Sequence, residues 1–149
     1  MNKIRITRKF SFDMAHALWG YDGPCKNIHG HTYKLSVTFR GLIVHKHDSP
    51  KDGMVYDFAD IKKFIEERIL NQFDHCLVLS DKEDKEVIHK IGQRYQKLVI
   101  LNDQPTCENL LVDFLKLISS EVPDELELVA LRLEETANSY AEWRIEDQA

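Results

Sequence analysis

The chain has 149 residues, and its fractions of hydrophobic (43%) and charged (30%) residues are those of an ordinary globular protein, so one domain spanning 1–149 is expected. The formal net charge of −5 argues against a nucleic-acid partner, because binding to a polyanion normally needs a clustered basic face. A small-molecule ligand is expected instead.

The cysteine content and the apolar segments indicate the compartment. Three cysteines, an odd number without framework spacing, suit a reducing cytosol better than a secreted disulfide scaffold. The N-terminal residues contain no apolar signal core, and no apolar run approaches the ~20 residues of a membrane span. We expect a cytoplasmic protein with no membrane partner.

Two alternating segments predict the first strands. The even positions from Ile4 to His16 are mostly apolar and the odd ones mostly polar, which is typical of a half-buried strand. After a loop over 18–28, the alternation resumes from 29 to 40, and His29 and His31 open its apolar face. Each predicted strand therefore carries histidine at one end of its buried face.

The remaining segments predict two long helices and further strands. Asp57 and Thr106 are plausible N-caps of two amphipathic helices. The predicted elements are a helix ending near Asn71, a short helix within the charged run 80–97, and strands at 98–101, 129–135 and 140–145. This order indicates an α+β fold, an antiparallel sheet of four strands or slightly more with two long helices on one face.

Three histidines are candidate metal ligands. His16, His29 and His31 each extend the apolar phase of a predicted strand, and an unpaired buried imidazole costs on the order of 1–3 kcal/mol. A single histidine of this kind is more often a core residue that is hydrogen-bonded to the protein. For all three together, one shared metal would provide the partner. Three nitrogens with no obvious fourth protein ligand are typical of catalytic zinc, whose open position takes water or substrate.

Cys25 and the pair Asp74-His75 are candidates for proton transfer. Cys25 lies in a turn near the histidines, where a cation would favour thiolate and allow a base or nucleophile. A small buried residue or a fourth zinc ligand are the alternatives. Asp74 could orient His75 as a proton relay, although adjacent Asp and His are common in loops.

Glu135 continues the apolar phase of Val129, Leu131 and Leu133, so its carboxylate must find donors. An internal Arg or Lys is one solution. The other is a ligand edge with parallel N–H donors, such as an aminopyrimidinone. Cys76 and Cys107 are interpreted as packing residues.

The spaced combination of these residues resembles the 6-pyruvoyltetrahydropterin synthase and 6-carboxytetrahydropterin synthase (QueD) family over nearly the whole chain. The matching residues are Phe12 to His16, Cys25 separated by three residues from His29-Gly-His31, Asp74-His75, Pro105-Thr106 with Glu108-Asn109, and Glu135-Thr136. The resemblance implies the tunnelling fold and a homohexamer, a dimer of trimers, with active sites at subunit interfaces.

The resemblance also implies a role for each residue. It makes His16, His29 and His31 the ligands of Zn²⁺. The proton acceptor would be Cys25, and His75, oriented by Asp74, the relay. Glu135 would anchor the amino-pyrimidinone edge of 7,8-dihydroneopterin triphosphate. Thr106 and Glu108, most simply helix-start residues, are candidates for binding the substrate beside Glu135.

The gap between Cys25 and His29 bears on the product. Three intervening residues resemble the carboxy-forming, queuosine-pathway branch, with acetaldehyde and triphosphate as co-products, whereas the pyruvoyl-forming branch usually has a longer gap. The alternatives are a pyruvoyl-forming enzyme and a non-catalytic zinc- or pterin-binding protein. One departure from compact bacterial members is a longer segment from Leu77 to Gln104.

Overall fold

The computed structural model describes residues 1–148, and Ala149, the last residue of the predicted domain, lies outside them. The elements are β1 (Lys3–His16), β2 (His29–Leu42), α1 (Phe58–Ile65), α2 (Asn71–Phe73), β3 (Cys76–Ser80), α3 (Lys85–Arg94), β4 (Leu98–Leu101), α4 (Cys107–Ser119), β5 (Glu127–Thr136) and β6 (Ser139–Arg144). A π-helical segment, Glu66–Leu70, joins α1 to α2, and 3₁₀ helices cover Pro24–Lys26 and Ile145–Gln148.

The six strands form one sheet in the order β4-β3-β1-β2-β5-β6. The pairs β1–β2, β2–β5 and β5–β6 are antiparallel, while β3 runs parallel to β1 and β4 parallel to β3. The α+β prediction is confirmed, with a sheet larger than four strands. The additional strands can pair in parallel because α3 supplies the crossover that β3 and β4 need.

The main core lies between α1, α4 and the inner face of the sheet. Period-two alternation buries every second residue of β2 from Tyr33 to Phe39, each at most 1% exposed. Phe114 of α4 packs edge-on against Phe12 of β1 and Phe73 of α2, with ring centroids 6.1 and 4.9 Å apart. This packing fixes the ends of β1 and β2, where the predicted site residues lie.

The two long helices begin at the predicted caps. The side chain of Asp57 accepts from the N–H of Ala59 at 2.8 Å, and Thr106 Oγ1 accepts from the N–H of Asn109 at 3.3 Å. These contacts satisfy backbone donors that a helix start leaves unpaired. Within residues 1–148, no helix has the length and apolar character needed to cross a membrane.

The third helix, α3, lies on the opposite face of the sheet. Val99 and Leu101 of β4 pack against the main core, so Leu98 points the other way. A Cβ at Gly92 of α3 would lie 3.7 Å from Leu98 Cδ2. The prediction of two helices on one face thus describes α1 and α4, and α3 covers the outer surface of the additional strands.

Candidate active site

Three imidazoles meet at the paired ends of β1 and β2. The register places His16 opposite His29 and Met14 opposite His31, so alternation directs all three rings to the same face. One nitrogen from each ring lies within 4.8 Å of the other two. The in-phase histidines predicted from the sequence are therefore together in space, and the cluster could hold a metal ion.

Hydrogen bonds to carbonyls set the tautomers of two rings. His16 Nδ1 lies 2.6 Å from the carbonyl oxygen of Pro105, and His29 Nδ1 lies 2.8 Å from that of Asn27. A carbonyl only accepts, so each Nδ1 carries the hydrogen and each neutral ring leaves Nε2 with a free lone pair. Such outer contacts are typical of histidines that ligate a metal.

The free lone pairs of His16 and His29 face each other, with the two Nε2 atoms 3.0 Å apart. A shared proton would need one ring to be cationic, and burial lowers the pKa of His16. The Nε2 of His31 is buried with no hydrogen-bond partner and lies 3.7 Å from Glu135 Oε1. Two facing lone pairs with the partnerless nitrogen of His31 beside them fit a divalent cation of the kind that imidazole prefers, such as Zn²⁺.

A cavity of about 290 Å³ adjoins the triad. His16, Cys25, Thr106, Glu108 and Glu135 all line it. Four candidate residues from three parts of the sequence thus lie in one cavity with His16, a predicted metal ligand. The cavity has room for a small molecule, as the composition suggested.

Cys25 reaches this cavity through the loop between β1 and β2. It sits in the 3₁₀ helix that Pro24 begins, and its carbonyl accepts from the N–H of Leu18 at 2.9 Å. This bond ties the loop to the end of β1, which carries His16. The side chain of Cys25 remains partly exposed, so its thiol is accessible to a ligand.

Of the other two cysteines, Cys76 is buried and Cys107 is partly exposed. Burial raises the pKa of Cys76 to about 11 and that of Cys107 to about 11. Cys107 lines the cavity, but its Sγ–H donates to the carbonyl of Leu133 at 3.2 Å. Both groups remain protonated near neutral pH.

Glu135 sits at an irregularity of β5, where the register with β6 shifts between Glu134 and Thr136. Among residues 1–148 no Lys or Arg side chain lies within 4.0 Å of its carboxylate, and the nearest ionisable nitrogen is that of His31. An internal Arg or Lys partner, one of the two sequence-based interpretations, is not present in the described chain. The carboxylate is thus available to donors of a ligand.

Tyr33 is a site residue that the sequence reasoning missed. It is fully buried, and its hydroxyl lies near Glu135 without meeting the geometry of a hydrogen bond to any group of the described chain. Burial, and then the charge of nearby Glu135, raise the pKa of Tyr33 above its usual range. The alternation of β2 could have identified Tyr33, because it follows His29 and His31 on the same face of that strand.

Asp74 and His75 form the predicted pair but lie elsewhere. Asp74 Oδ1 accepts from His75 Nδ1 at 2.9 Å and from the N–H of Asp13 at 3.1 Å. His75 has a φ of +61°, and its N–H donates to the carbonyl of Asp13 at 2.7 Å. The dyad is therefore fixed to the edge of β1 in a conformation that is uncommon outside glycine.

His75 of the dyad shares its cavity with His31 of the triad but not with His16 or Cys25. Asp13 accepts from Thr32 Oγ1 at 2.6 Å, and these two residues point to the face opposite Met14 and His31. His75 lines a larger cavity of about 1030 Å³, which Cys25 does not line. The structure thus places His75 and Cys25 in different cavities of one chain.

The fold and the site define an α+β protein in which a histidine cluster suited to a metal ion adjoins a small-molecule cavity. The chain belongs to the 6-pyruvoyl tetrahydropterin synthase family, whose model matches residues 5–146. The sequence-based resemblance is thereby confirmed.

Two proteins of known name are similar to this chain over different lengths. The 6-carboxy-5,6,7,8-tetrahydropterin synthase of Haemophilus influenzae is 33% identical over 143 residues, which cover 95% of this chain and 99% of that protein. The 6-pyruvoyl tetrahydrobiopterin synthase of Homo sapiens is 36% identical over 85 residues, which cover 49% of this chain and 55% of the human protein.

The solved structure of Caenorhabditis elegans 6-pyruvoyl tetrahydropterin synthase matches with a TM-score of 0.64 and 26% sequence identity. The match covers 97% of this chain and 96% of that structure. The two chains therefore share a fold over nearly their full lengths.

Proposed function

We propose that this chain is a 6-carboxy-5,6,7,8-tetrahydropterin synthase, a lyase of queuosine biosynthesis. With one molecule of water, it converts 7,8-dihydroneopterin triphosphate to 6-carboxytetrahydropterin, acetaldehyde and triphosphate. The observation that carries the proposal is the cavity in which Cys25 and Glu135 lie beside His16. The nearly full-length similarity to a relative of that name supports it.

The proposed cofactor is Zn²⁺, held by His16, His29 and His31. When bound, the ion acts as a Lewis acid toward the oxygens of the substrate side chain and favours loss of their protons. The chain supplies three neutral nitrogens for it, two of them oriented by bonds to Pro105 and Asn27.

Glu135 orients the substrate in this proposal. Its carboxylate accepts the parallel N–H donors of the aminopyrimidinone edge, which places the pterin ring in the cavity and its side chain toward the histidines. Thr106 and Glu108 line the same cavity and supply further polar contacts.

Cys25 is the proposed proton acceptor. Its partly exposed thiol lines the cavity with His16, and a cation at the triad favours the thiolate. His75 is the proposed relay, since the bond from its Nδ1 to Asp74 leaves Nε2 free to exchange a proton. Elimination of triphosphate needs both the removal and the return of protons, which is why two such groups are useful.

The proposed assembly is a homo-oligomer, a hexamer built as a dimer of trimers, in the cytoplasm. Its support is the separation of Cys25 and His75 into two different cavities of one chain. An interface between copies can bring the thiol of one chain to the imidazole of another.

The test is a product assay with zinc-loaded protein and intact 7,8-dihydroneopterin triphosphate. Mass spectrometry should detect 6-carboxytetrahydropterin, and a hydrazine trap should capture acetaldehyde in equal amount. A 6-pyruvoyl product without acetaldehyde would assign the chain to the other branch. The absence of any turnover would instead favour a non-catalytic zinc- or pterin-binding protein.

A further inference from the structure

The larger cavity carries two cations that the proposed chemistry does not use. Arg94 ends α3 and Lys97 precedes β4, and both side chains line this cavity beside His75. In the part of the chain that the structure describes, neither forms an ion pair with a carboxylate. Lys97 Nζ instead donates to the carbonyl of Asp74 at 2.7 Å, which fixes it next to the dyad.

The charged residues that line this cavity are mainly basic, although the whole chain is acidic. The formal net charge is −5, yet the one carboxylate that lines the cavity is Asp13. That carboxylate already accepts a hydrogen bond from Thr32. Lys97 has a carbonyl partner and Arg94 lies over the ring of Tyr95, 5.8 Å from its centroid, but neither charge is neutralised by a carboxylate in the described chain. This condition favours an anionic ligand.

The rim of the cavity is suited to contact with another protein surface. Ile28 and Tyr95 both line it and are 59% and 60% exposed. His31 of the triad lines this cavity, but His16, Cys25 and Glu135 line only the smaller one. Arg94 and Glu135 thus line different cavities of one chain, which leaves Arg94 to a substrate whose ring is bound by Glu135 of a second copy.

We propose that Arg94 and Lys97, beside His75, form an anion subsite for the phosphate chain of a substrate whose pterin ring lies in the cavity of a second copy. This inference rests on the proposed function, because the triphosphate of that substrate supplies the polyanion. A guanidinium can bind phosphate oxygens in a bidentate way, and an ammonium adds a compact charge.

The subsite comes from the segment between Leu77 and Gln104, which contains α3 and β4. The crossover that pairs β4 with β3 also brings the end of α3 to the dyad. The additional segment thus places both cations next to His75, the proposed proton relay.

The first experiment compares Arg94→Gln/Lys97→Gln with Lys90→Gln. Lys90 lies on the same helix but pairs with Glu86 at 2.7 Å, so its change controls for charge alone. We expect the double variant to raise KM for the triphosphate substrate about tenfold or more, because charge-assisted hydrogen bonds are lost. In the double variant KM should also increase less with salt concentration than in the wild type. A purely structural role of the two residues would not change this salt dependence.

Calorimetry with inorganic triphosphate gives a measurement that does not depend on turnover. Wild type and Lys90→Gln should bind it, and the double variant should bind at least about tenfold more weakly. Equal binding by all three, or no binding by the wild type, would overturn the subsite. Acetaldehyde production by the wild type with an unchanged KM in the double variant would overturn the subsite alone and leave the proposed function standing.

A mixing experiment tests whether the subsite serves a second copy. Cys25→Ala and the double variant, co-expressed with different tags and purified through both, form hybrid oligomers. If thiol and cations come from different chains, some interfaces combine wild-type groups from both, and activity with wild-type KM returns. Hybrids no more active than the sum of the separate variants would overturn the arrangement.

Discussion

The Nε2 atoms of His16 and His29 lie 3.0 Å apart, and neither carries a hydrogen in the neutral ring, because each Nδ1 donates to a carbonyl. Two facing lone pairs repel unless a cation lies between them. The contact is thus unfavourable in the metal-free protein and becomes favourable on metal binding. Metal affinity and fold stability should therefore be linked at this pair of strand ends.

Removal of one ligand should release the metal. We expect His29→Ala to lose most bound zinc, while His89→Ala, at an exposed histidine of α3, should retain it. Zinc at about 100 times its dissociation constant should stabilise wild type by about 2.7 kcal/mol, an increase in melting temperature of several degrees. Metal analysis and thermal unfolding check this. Near-stoichiometric zinc in His29→Ala would refute the ligand assignment.

The three thiols should differ in reactivity. In the native protein near pH 8, iodoacetamide should modify Cys25, which is partly exposed, and spare Cys76, which is buried. Cys107 is partly exposed, but its pKa is raised to about 11, so it should react slowly. Peptide mass spectrometry after brief labelling reports the sites, and labelling in denaturant should modify all three. Rapid modification of Cys76 in the native state would contradict the packing role.

The raised pKa values of Cys76 and Cys107 predict a loss of stability at alkaline pH. Their pKa is raised in the folded state from 9.0 to about 11, so the unfolded chain releases these protons first as the pH rises. The folded state then binds more protons than the unfolded state, and the free energy of unfolding falls between about pH 9 and pH 11. Denaturant unfolding of Cys107→Ser across this range should show a smaller decline than wild type.

The histidine cluster could be predicted from the sequence because it depends on one local rule. Side chains alternate along a strand, so His16, His29 and His31 could be placed on one face before any pairing was known. The caps Asp57 and Thr106 were equally local. The positions of these residues follow from the backbone geometry of short segments, which a sequence pattern can indicate.

Other features depend on pairings that local patterns do not encode. Short apolar runs such as 76–80 and 98–101 do not reveal whether their strands pair in parallel. Neither the placement of α3 on the outer face nor the positive φ of His75 could therefore be predicted. The separation of His75 from Cys25 follows from the same non-local pairing.

Glu135→Gln should weaken pterin binding and leave the metal in place. The change replaces one acceptor by a donor and removes the charge, so we expect a loss of about 10- to 100-fold in affinity. Glu134→Gln is the matched control, since Glu134 is paired with Arg132 at 3.2 Å. Fluorescence titration with a pterin product gives the affinities. Equal affinity of Glu135→Gln and wild type would count against the anchor role.

Tyr33→Phe should stabilise the ligand-free protein or leave its stability unchanged. The hydroxyl is fully buried without a hydrogen-bond partner, and an unpaired buried polar group costs about 1–3 kcal/mol. Phenylalanine keeps the ring stacked on Phe12, 5.6 Å between centroids, and removes that cost. Phe12→Ala, which deletes the neighbouring ring, should instead destabilise by about 3–5 kcal/mol. Urea unfolding measures both changes, and a loss above 1 kcal/mol in Tyr33→Phe would mean that the hydroxyl donates to Glu135 in the folded protein.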